Sequence, residues 1–299
     1  MFWFKRAGQV LLVGLALGAL ALTVVYGFVE WQMRRPVTLP PQAALRVSLD
    51  SVSVARGQHL ATAVAGCTGC HGEDLGGRTI VDVPLVMRLT PSNLTTGEGG
   101  MLSRYDDAAL EAAVRHGVAA NGRPLRFMPS HEFSDLADDH VAALIAYLRT
   151  RPPVDRRMPP TSIGPIARIL AVTGKLVLIP YDRIDHARPH VARAPEGVSA
   201  EHGRYLAQGC KGCHGPQLSG GRIPGAPPDF PPARNITPTG IGTWSDQDFV
   251  RAIRTGQRPN GAAISTRMPW KDYAHMTDDE LLSIRRYLAT VPARATGLR

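Results

Sequence analysis

All four cysteines of the chain stand in two copies of one pattern, "GCTGCHG" at residues 66–72 and "GCKGCHG" at residues 209–215. Each copy sets two thiols three residues apart, Cys67 with Cys70 and Cys210 with Cys213, and places a histidine, His71 or His214, directly behind them. On a helical turn, positions i and i+3 share a face. Both thiols of a pair can then form thioethers with the two vinyl groups of a haem, while the next imidazole takes the iron. That is the chemistry of c-type attachment. A redox dithiol would need a βαβ setting and a zinc site would need further ligands, and neither accompanies these pairs. Four cysteines in 299 residues are also too few for a disulfide scaffold. The expected cofactors are two covalently attached haem c groups.

A second ligand must complete each iron. "FMP" at 127–129 and "RMP" at 267–269 nominate Met128 and Met268, which follow His71 and His214 by 57 and 54 residues. Their equivalence in two copies distinguishes them from flexible core methionines. The competing side chains are His131, Met101 and Met87 in the first half, and His275 and Met276 in the second.

The elements that position these residues come from an internal repeat. "HGEDLGGR" at 71–78 aligns with "HGPQLSGGR" at 214–222, "SNLT" at 92–95 with "RNIT" at 234–237, and Met128 to Thr150 runs without gaps against Met268 to Thr290. Each copy is about a hundred residues long, the size of a small domain rather than a solenoid repeat. Both copies close on a segment of helical period: Val141, Leu144, Ile145 and Leu148 in one, Leu281, Ile284 and Leu288 in the other, where Thr277 and Glu280 make a capping box. Earlier helices are expected at about 106–116 and 246–255, ending at Gly117 and Gly256, and short ones at about 56–64 and 200–208 before the cysteines. No sustained alternation of period two appears, so little sheet is expected. The fold class is all-α: two tandem helical domains behind an amino-terminal helix. The expected divisions are 1–44 for anchor and linker, 45–150 for the first domain, 151–198 for the connection and 199–299 for the second domain.

Residues 7–29 carry no charge over 23 positions, enough to cross a hydrocarbon core of about 30 Å. The alternative is a cleaved export signal with Ala19 and Ala21 as its A-x-A site, but the apolar run continues beyond it. Lys5 and Arg6 before the run face Arg34 and Arg35 after it, so charge orients the helix weakly, and Tyr26 and Trp31 suit the far interface. A second apolar stretch, 163–181, is broken by Arg168, Gly174 and Lys175 and is too short to span. It is expected to pack between the domains, with a membrane-surface helix as the alternative.

From about 50 to 150 and again from about 199 to 292 the chain resembles class I cytochrome c, and more closely the haem domains of the cytochrome c subunits of bacterial alcohol, aldehyde and gluconate dehydrogenase complexes. The resemblance is carried by "RGQHLA" and "HGRYLA" before the cysteines, "LGGR" and "SGGR" after them, "NITPTGIGTWSDQDFVRAIRTG" at 235–256, "MPW" and "DDELLSIRRYL". It implies the small helical cytochrome c wrap, with Met128 and Met268 as sixth ligands. Those subunits usually carry three haem motifs, whereas this chain has two and an amino-terminal anchor. The resemblance also implies haem attachment outside the inner membrane of a bacterium, hence a single-pass protein with periplasmic haem domains. Asn93-Leu94-Thr95 and Asn235-Ile236-Thr237 match the glycosylation pattern, but their equivalence in the repeat points to structural loops.

The net charge of +9 is unevenly spread: nine basic residues face twelve acidic ones in 45–150, against thirteen and eight in 199–299. No basic motif interleaved with aromatics accompanies it, which argues against nucleic acid. An acidic and a basic haem domain suit transient encounters with two different redox proteins. The expected function is electron transfer by a membrane-anchored dihaem cytochrome, taking electrons from a dehydrogenase or quinol-oxidising complex and passing them to an oxidase or soluble cytochrome, with no catalytic residue of its own. The alternatives are a dihaem peroxidase in which one iron keeps an open position, and an obligate cytochrome subunit of such a complex.

Overall fold

An uninterrupted apolar run has nothing to break a helix, and α1 occupies Phe2–Arg34, about 50 Å of helix. A computed structural model describes residues 2–226 and 229–298; Met1, Pro227, Pro228, Arg299 and the side chains of Phe2, Phe4 and Lys5 lie outside it. Among the described residues, α1 is the one helix long and apolar enough to cross a membrane. Its surface is bare until the last turns, where Val29 and Met33 are buried.

The first half follows. Helix α2, Ser51–His59, is capped by the Asp50 carboxylate and runs into a wider turn at Leu60–Val64. The attachment turn α3 is Cys67–His71. Strands β1, Val81–Val83, and β2, Met87–Leu89, make a hairpin. Helix α4, Asp107–Glu111, widens at 112–116 and stops at Gly117, whose positive φ ends it as expected. Then come α5, Ser130–Phe133, and the closing α6, Asp138–Arg149. In the connection, β3, Ser162–Ile163, joins the hairpin through β2, and α7 covers Pro165–Val172. The second half repeats the first with α8, Ala200–Leu206; α9, Gln208–His214; α10, Pro238–Ile241; α11, Asp246–Thr255; α12, Trp270–Tyr273; and α13, Asp278–Thr290. The Thr277–Glu280 capping box is present, and Ser245 with Asp248 makes a second one on α11.

Each half is built on a crossing of its first and last helices, α2 on α6 and α8 on α13. Glycine makes both crossings close: a Cβ on Gly57 would lie 1.9 Å from the Ala143 carbonyl oxygen, and one on Gly203 would lie 1.9 Å from that of Ser283. Leu60, Val141, Leu144 and Ile145 fill the first core, and Leu206, Leu281, Ile284 and Leu288 the second.

The Asn-x-Thr loops are equally alike. Asn93 and Thr95 are buried, with the Asn93 amide donating to the Val154 carbonyl at 2.7 Å and its oxygen accepting from the Thr95 N–H and hydroxyl. Asn235 does the same with Thr237 and the Arg294 carbonyl at 2.8 Å. These sequons are buried ties between the loop and the chain leaving the last helix, not accessible glycan acceptors.

The stretch 163–181 departs from the expected interdomain packing. Ile163, Ala167, Leu178 and Ile179 bury themselves against Val29 and Met33 of α1, with Phe127 of the first domain beside them. Towards the second domain the approach is at Lys175, whose carbonyl would lie 2.3 Å from a Cβ on Gly225.

Candidate functional site

The two attachment turns are held alike. The Nδ1–H of His71 donates to the Ser92 carbonyl at 2.8 Å, and that of His214 donates to the Arg234 carbonyl at 2.6 Å. Those carbonyls belong to the residues just before the buried Asn93 and Asn235, so the Asn-x-Thr tie fixes the acceptor and the acceptor fixes the ring. A proton held on Nδ1 puts the lone pair on Nε2, the tautomer that a metal requires. Burial lowers the His71 pKa, which keeps the imidazole neutral. The turn is locked from behind as well: Gly77 N–H donates to the His71 carbonyl, and Gly220 N–H to that of His214. Leu75 and Leu218, both buried, take the left-handed conformation in that lock, a strain of about 1–2 kcal/mol apiece.

The thiols are not those of a redox dithiol. Burial, foremost, and the neighbouring cysteine push Cys67 and Cys210 up to about 12, and burial raises Cys70 as well. A reactive dithiol needs the opposite shift. Cys67 and Cys210 instead lie against the two cores.

In the second domain a cavity of about 1000 Å³ opens beside the turn, at the upper end of the range for ligand sites. Cys210, Cys213, His214 and Met268 all line it, with Trp244 and Phe249 among its apolar walls. Arg258 also stands on the wall, and its Nε is buried without a hydrogen-bond partner, as is Nε1 of Trp270 next to Pro269. Two sulfurs, an imidazole, a thioether facing the same space and the Arg258 Nε left for an acidic edge fit a haem with its carboxylates.

Among the rivals, Met276 also lines the cavity but is 3% exposed and belongs to the core. Met87 lies in β2 and packs toward α1, and the Met101 N–H donates to the Asn93 carbonyl. His131 is half-buried on α5, its Nδ1 without a partner. Met128 occupies the loop before α5 as Met268 does before α12, and in both the methionine carbonyl accepts from the N–H two residues on at 2.8 Å.

The repeat alignment does not reveal how the halves meet. Helix α5 packs on α9, and α12 packs on the turn after α2, so each half's post-methionine helix lies against the other half's attachment region. The contacts come in matched pairs. The middle glycine of each CxGC turn faces a carboxylate from across the interface: a Cβ on Gly212 would lie 2.2 Å from Glu132, and one on Gly69 3.2 Å from Asp272. Glu132 and Asp272 are equivalent in the repeat, and burial raises both carboxyls, Glu132 to about 7. A second matched pair joins His59 to Glu280, with Nε2 2.9 Å from each carboxylate oxygen, and Tyr205 to His140 at 2.9 Å. His59 is the counterpart of Tyr205, and His140 that of Glu280. The halves are thus related by an approximate two-fold axis, the geometry of an isologous interface within one chain.

The cytochrome c family model matches residues 54–152 and, a second time, residues 200–292. The chain belongs to the cytochrome c family. Two such regions, each opening on a CxxCH turn, are consistent with covalent haem c in both. This cytochrome c is 29% identical over 300 residues to the fructose dehydrogenase cytochrome subunit of Gluconobacter japonicus, covering 93% of this chain and 60% of the relative. It is 30% identical over 284 residues to the gluconate 2-dehydrogenase cytochrome c subunit of Pantoea cypripedii, covering 81% and 60%. It is 25% identical over 301 residues to a diheme cytochrome c-type protein of Cereibacter sphaeroides, covering 92% and 97%. The chain spans about three fifths of the length of those two dehydrogenase subunits.

The two polar pairs give this cytochrome c a pH signature. The Glu280 hydrogen bond raises the His59 pKa against burial, whereas burial, foremost, pushes His140 down to about 4. A raised histidine stabilises the folded, docked chain below its ordinary value near 6.5 and ceases to as pH climbs through the raised value. A lowered histidine forgoes its proton on folding, so stability also falls as pH drops from about 6.5 toward 4. Stability should therefore peak around the ordinary imidazole value. Glu280→Gln should flatten the alkaline limb and cost about 1 kcal/mol at pH 6. Denaturant midpoints against pH for both proteins check this; parallel alkaline limbs would contradict it.

Proposed function

We propose that the chain is a membrane-anchored dihaem cytochrome c that relays electrons, with Cys67, Cys70, Cys210 and Cys213 as thioether sites and His71 with Met128, and His214 with Met268, as the axial pairs. A haem held in each half supplies an iron that takes up and gives back one electron. The residues of the chain do the rest. Ser92 and Arg234 carbonyls fix the imidazole tautomer and angle. Apolar side chains make most of the wall of the second cavity. A thioether on each iron would close the position a substrate needs and favour the reduced state.

The observation that carries this reading is the two-fold interface, because each attachment region is contacted by the other half. Two one-electron centres held in a single packed unit suit relay from one partner to another. The domains 45–150 and 199–299 would then work as one body on the periplasmic side of a bacterial inner membrane, with α1 as anchor. The relatives named as fructose and gluconate dehydrogenase cytochrome subunits support a dehydrogenase as electron donor, with an oxidase or soluble cytochrome as acceptor.

Carbon monoxide and peroxide separate a relay from an enzyme. The reduced protein should bind no carbon monoxide and turn over no peroxide. Met268→Ala should admit carbon monoxide at one haem only and lower that haem's potential, since a soft neutral ligand to the reduced iron is lost. The second domain is the cleaner test, because His131 stands three residues beyond Met128 whereas Lys271 holds the corresponding place. Prompt carbon monoxide binding with peroxide turnover by the unmodified protein would replace the relay with a peroxidase.

A further inference from the structure

Helix α7 is built inside out. Its charged residue faces in: Arg168 is 5% exposed, with its Nη2 donating to Glu30 of α1 at 2.8 Å, its Nη1 to the Tyr26 carbonyl at 3.2 Å and its Nε to the Ile163 carbonyl at 3.1 Å. Its guanidinium carbon lies 3.7 Å from the centre of the Tyr26 ring. The outward face is apolar, with Ile166, Ile169 and Val172 between 43% and 46% exposed. In water this arrangement is unfavourable, because the charge is desolvated and the aliphatic groups are wetted. In lipid it is the expected one, since an intramembrane or interfacial charge turns inward to a partner.

The hairpin tip continues the same surface. Ile166 N–H donates to the Leu85 carbonyl at 3.1 Å and Gly164 N–H to that of Val86 at 2.8 Å, which fastens the tip to the start of α7. Leu85 is 70% exposed and Val83 48%, and Leu85 is held in the left-handed conformation, a backbone strain borne by an exposed leucine. Outside α1, nine large hydrophobic residues stand exposed among the described residues, and five of them are these. Lone exposed hydrophobics are ordinary, but a cluster is an interaction surface.

The adjoining surface decides the occupant. The cluster is bolted through Arg168 and Glu30 to the last turns of α1, where Phe28 and Trp31 are themselves exposed, so it is continuous with the surface that α1 presents to lipid. Lys175, exposed just beyond α7, suits a phosphate headgroup. We propose that the Val83–Leu85 hairpin tip and the outward face of α7 form a collar that rests in the lipid surface from which α1 emerges, setting the tilt of the haem domains against the membrane. This rests on the reading that α1 spans the bilayer.

The test uses the full haem-loaded chain in nanodiscs containing a lipid with a photoreactive acyl chain, with adducts mapped by peptide mass spectrometry. Adducts are expected on α1, on residues 83–85 and on 166–172, and not on the equally exposed Leu49, Val52 and Val191. Ile169→Glu should lose the adducts at 166–172 and keep those on α1. Adducts on α1 alone, or collar crosslinks to a second copy of the chain in place of lipid, would overturn the collar while leaving the anchor standing. Labelling of Leu49, Val52 and Val191 to the same extent would also overturn it. An unlabelled α1 would remove the anchor and the collar together.

Discussion

Gly203→Ala should destabilise the second domain by about 3 kcal/mol, the upper range for overpacking, although it adds one methyl group to a helix-favouring position. The new Cβ would sit 1.9 Å from the Ser283 carbonyl oxygen and 2.4 Å from its carbon. Both are backbone atoms, so no rotamer change relieves the clash and the two helices must part. α13 carries Leu281, Ile284 and Leu288, which line the cavity beside His214, so their separation loosens the site as well as the core. Gly57→Ala should act likewise on the first domain through the Ala143 carbonyl. Denaturant unfolding followed at the haem absorbance measures both; a change below about 0.5 kcal/mol in either would show that the helix crossing yields freely.

Replacing Cys210 and Cys213 together by alanine should remove covalent haem from the second domain and leave the first domain loaded. Either sulfur of a turn can hold a haem through its own thioether, so both must be removed, and the two turns are separate units sharing no cysteine. The residual protein should keep a low-spin spectrum from the first domain, because His71, its Ser92 acceptor and Met128 are untouched by the change. Retention of both haems through acid denaturation in this variant would mean that neither Cys210 nor Cys213 is an attachment site.

The repeat, the helical periods and the capping box at Thr277 made the fold legible from the residues, because each rests on side-chain pattern within one copy. What stayed hidden depends on backbone or on contacts between copies. The acceptors that orient His71 and His214 are carbonyls, and a carbonyl leaves no mark on residue type; only the buried Asn93 and Asn235 beside them hinted at it. The glycines of "RGQHLA" and "HGRYLA" were visible as a repeated feature, but the carbonyl each one meets lies some eighty residues away. The β1–β2 hairpin is too short for period-two alternation to register. The interface pairs were masked by chemistry, since His59 and Tyr205 are counterparts of different type, as are His140 and Glu280. α7 reverses the usual rule that charge faces out: Arg168 turns inward to Glu30, which side-chain pattern alone does not show, so the sequence suggests interdomain packing there.

Assignment of all four cysteines to thioethers is the central claim, and the intact mass of the chain after acid denaturation and treatment with a thiol-alkylating reagent tests it most directly. The account predicts the polypeptide mass plus two haems with no alkyl group added, since Cys67, Cys70, Cys210 and Cys213 are the only thiols in the sequence. A bare polypeptide mass carrying alkylated cysteines would contradict it.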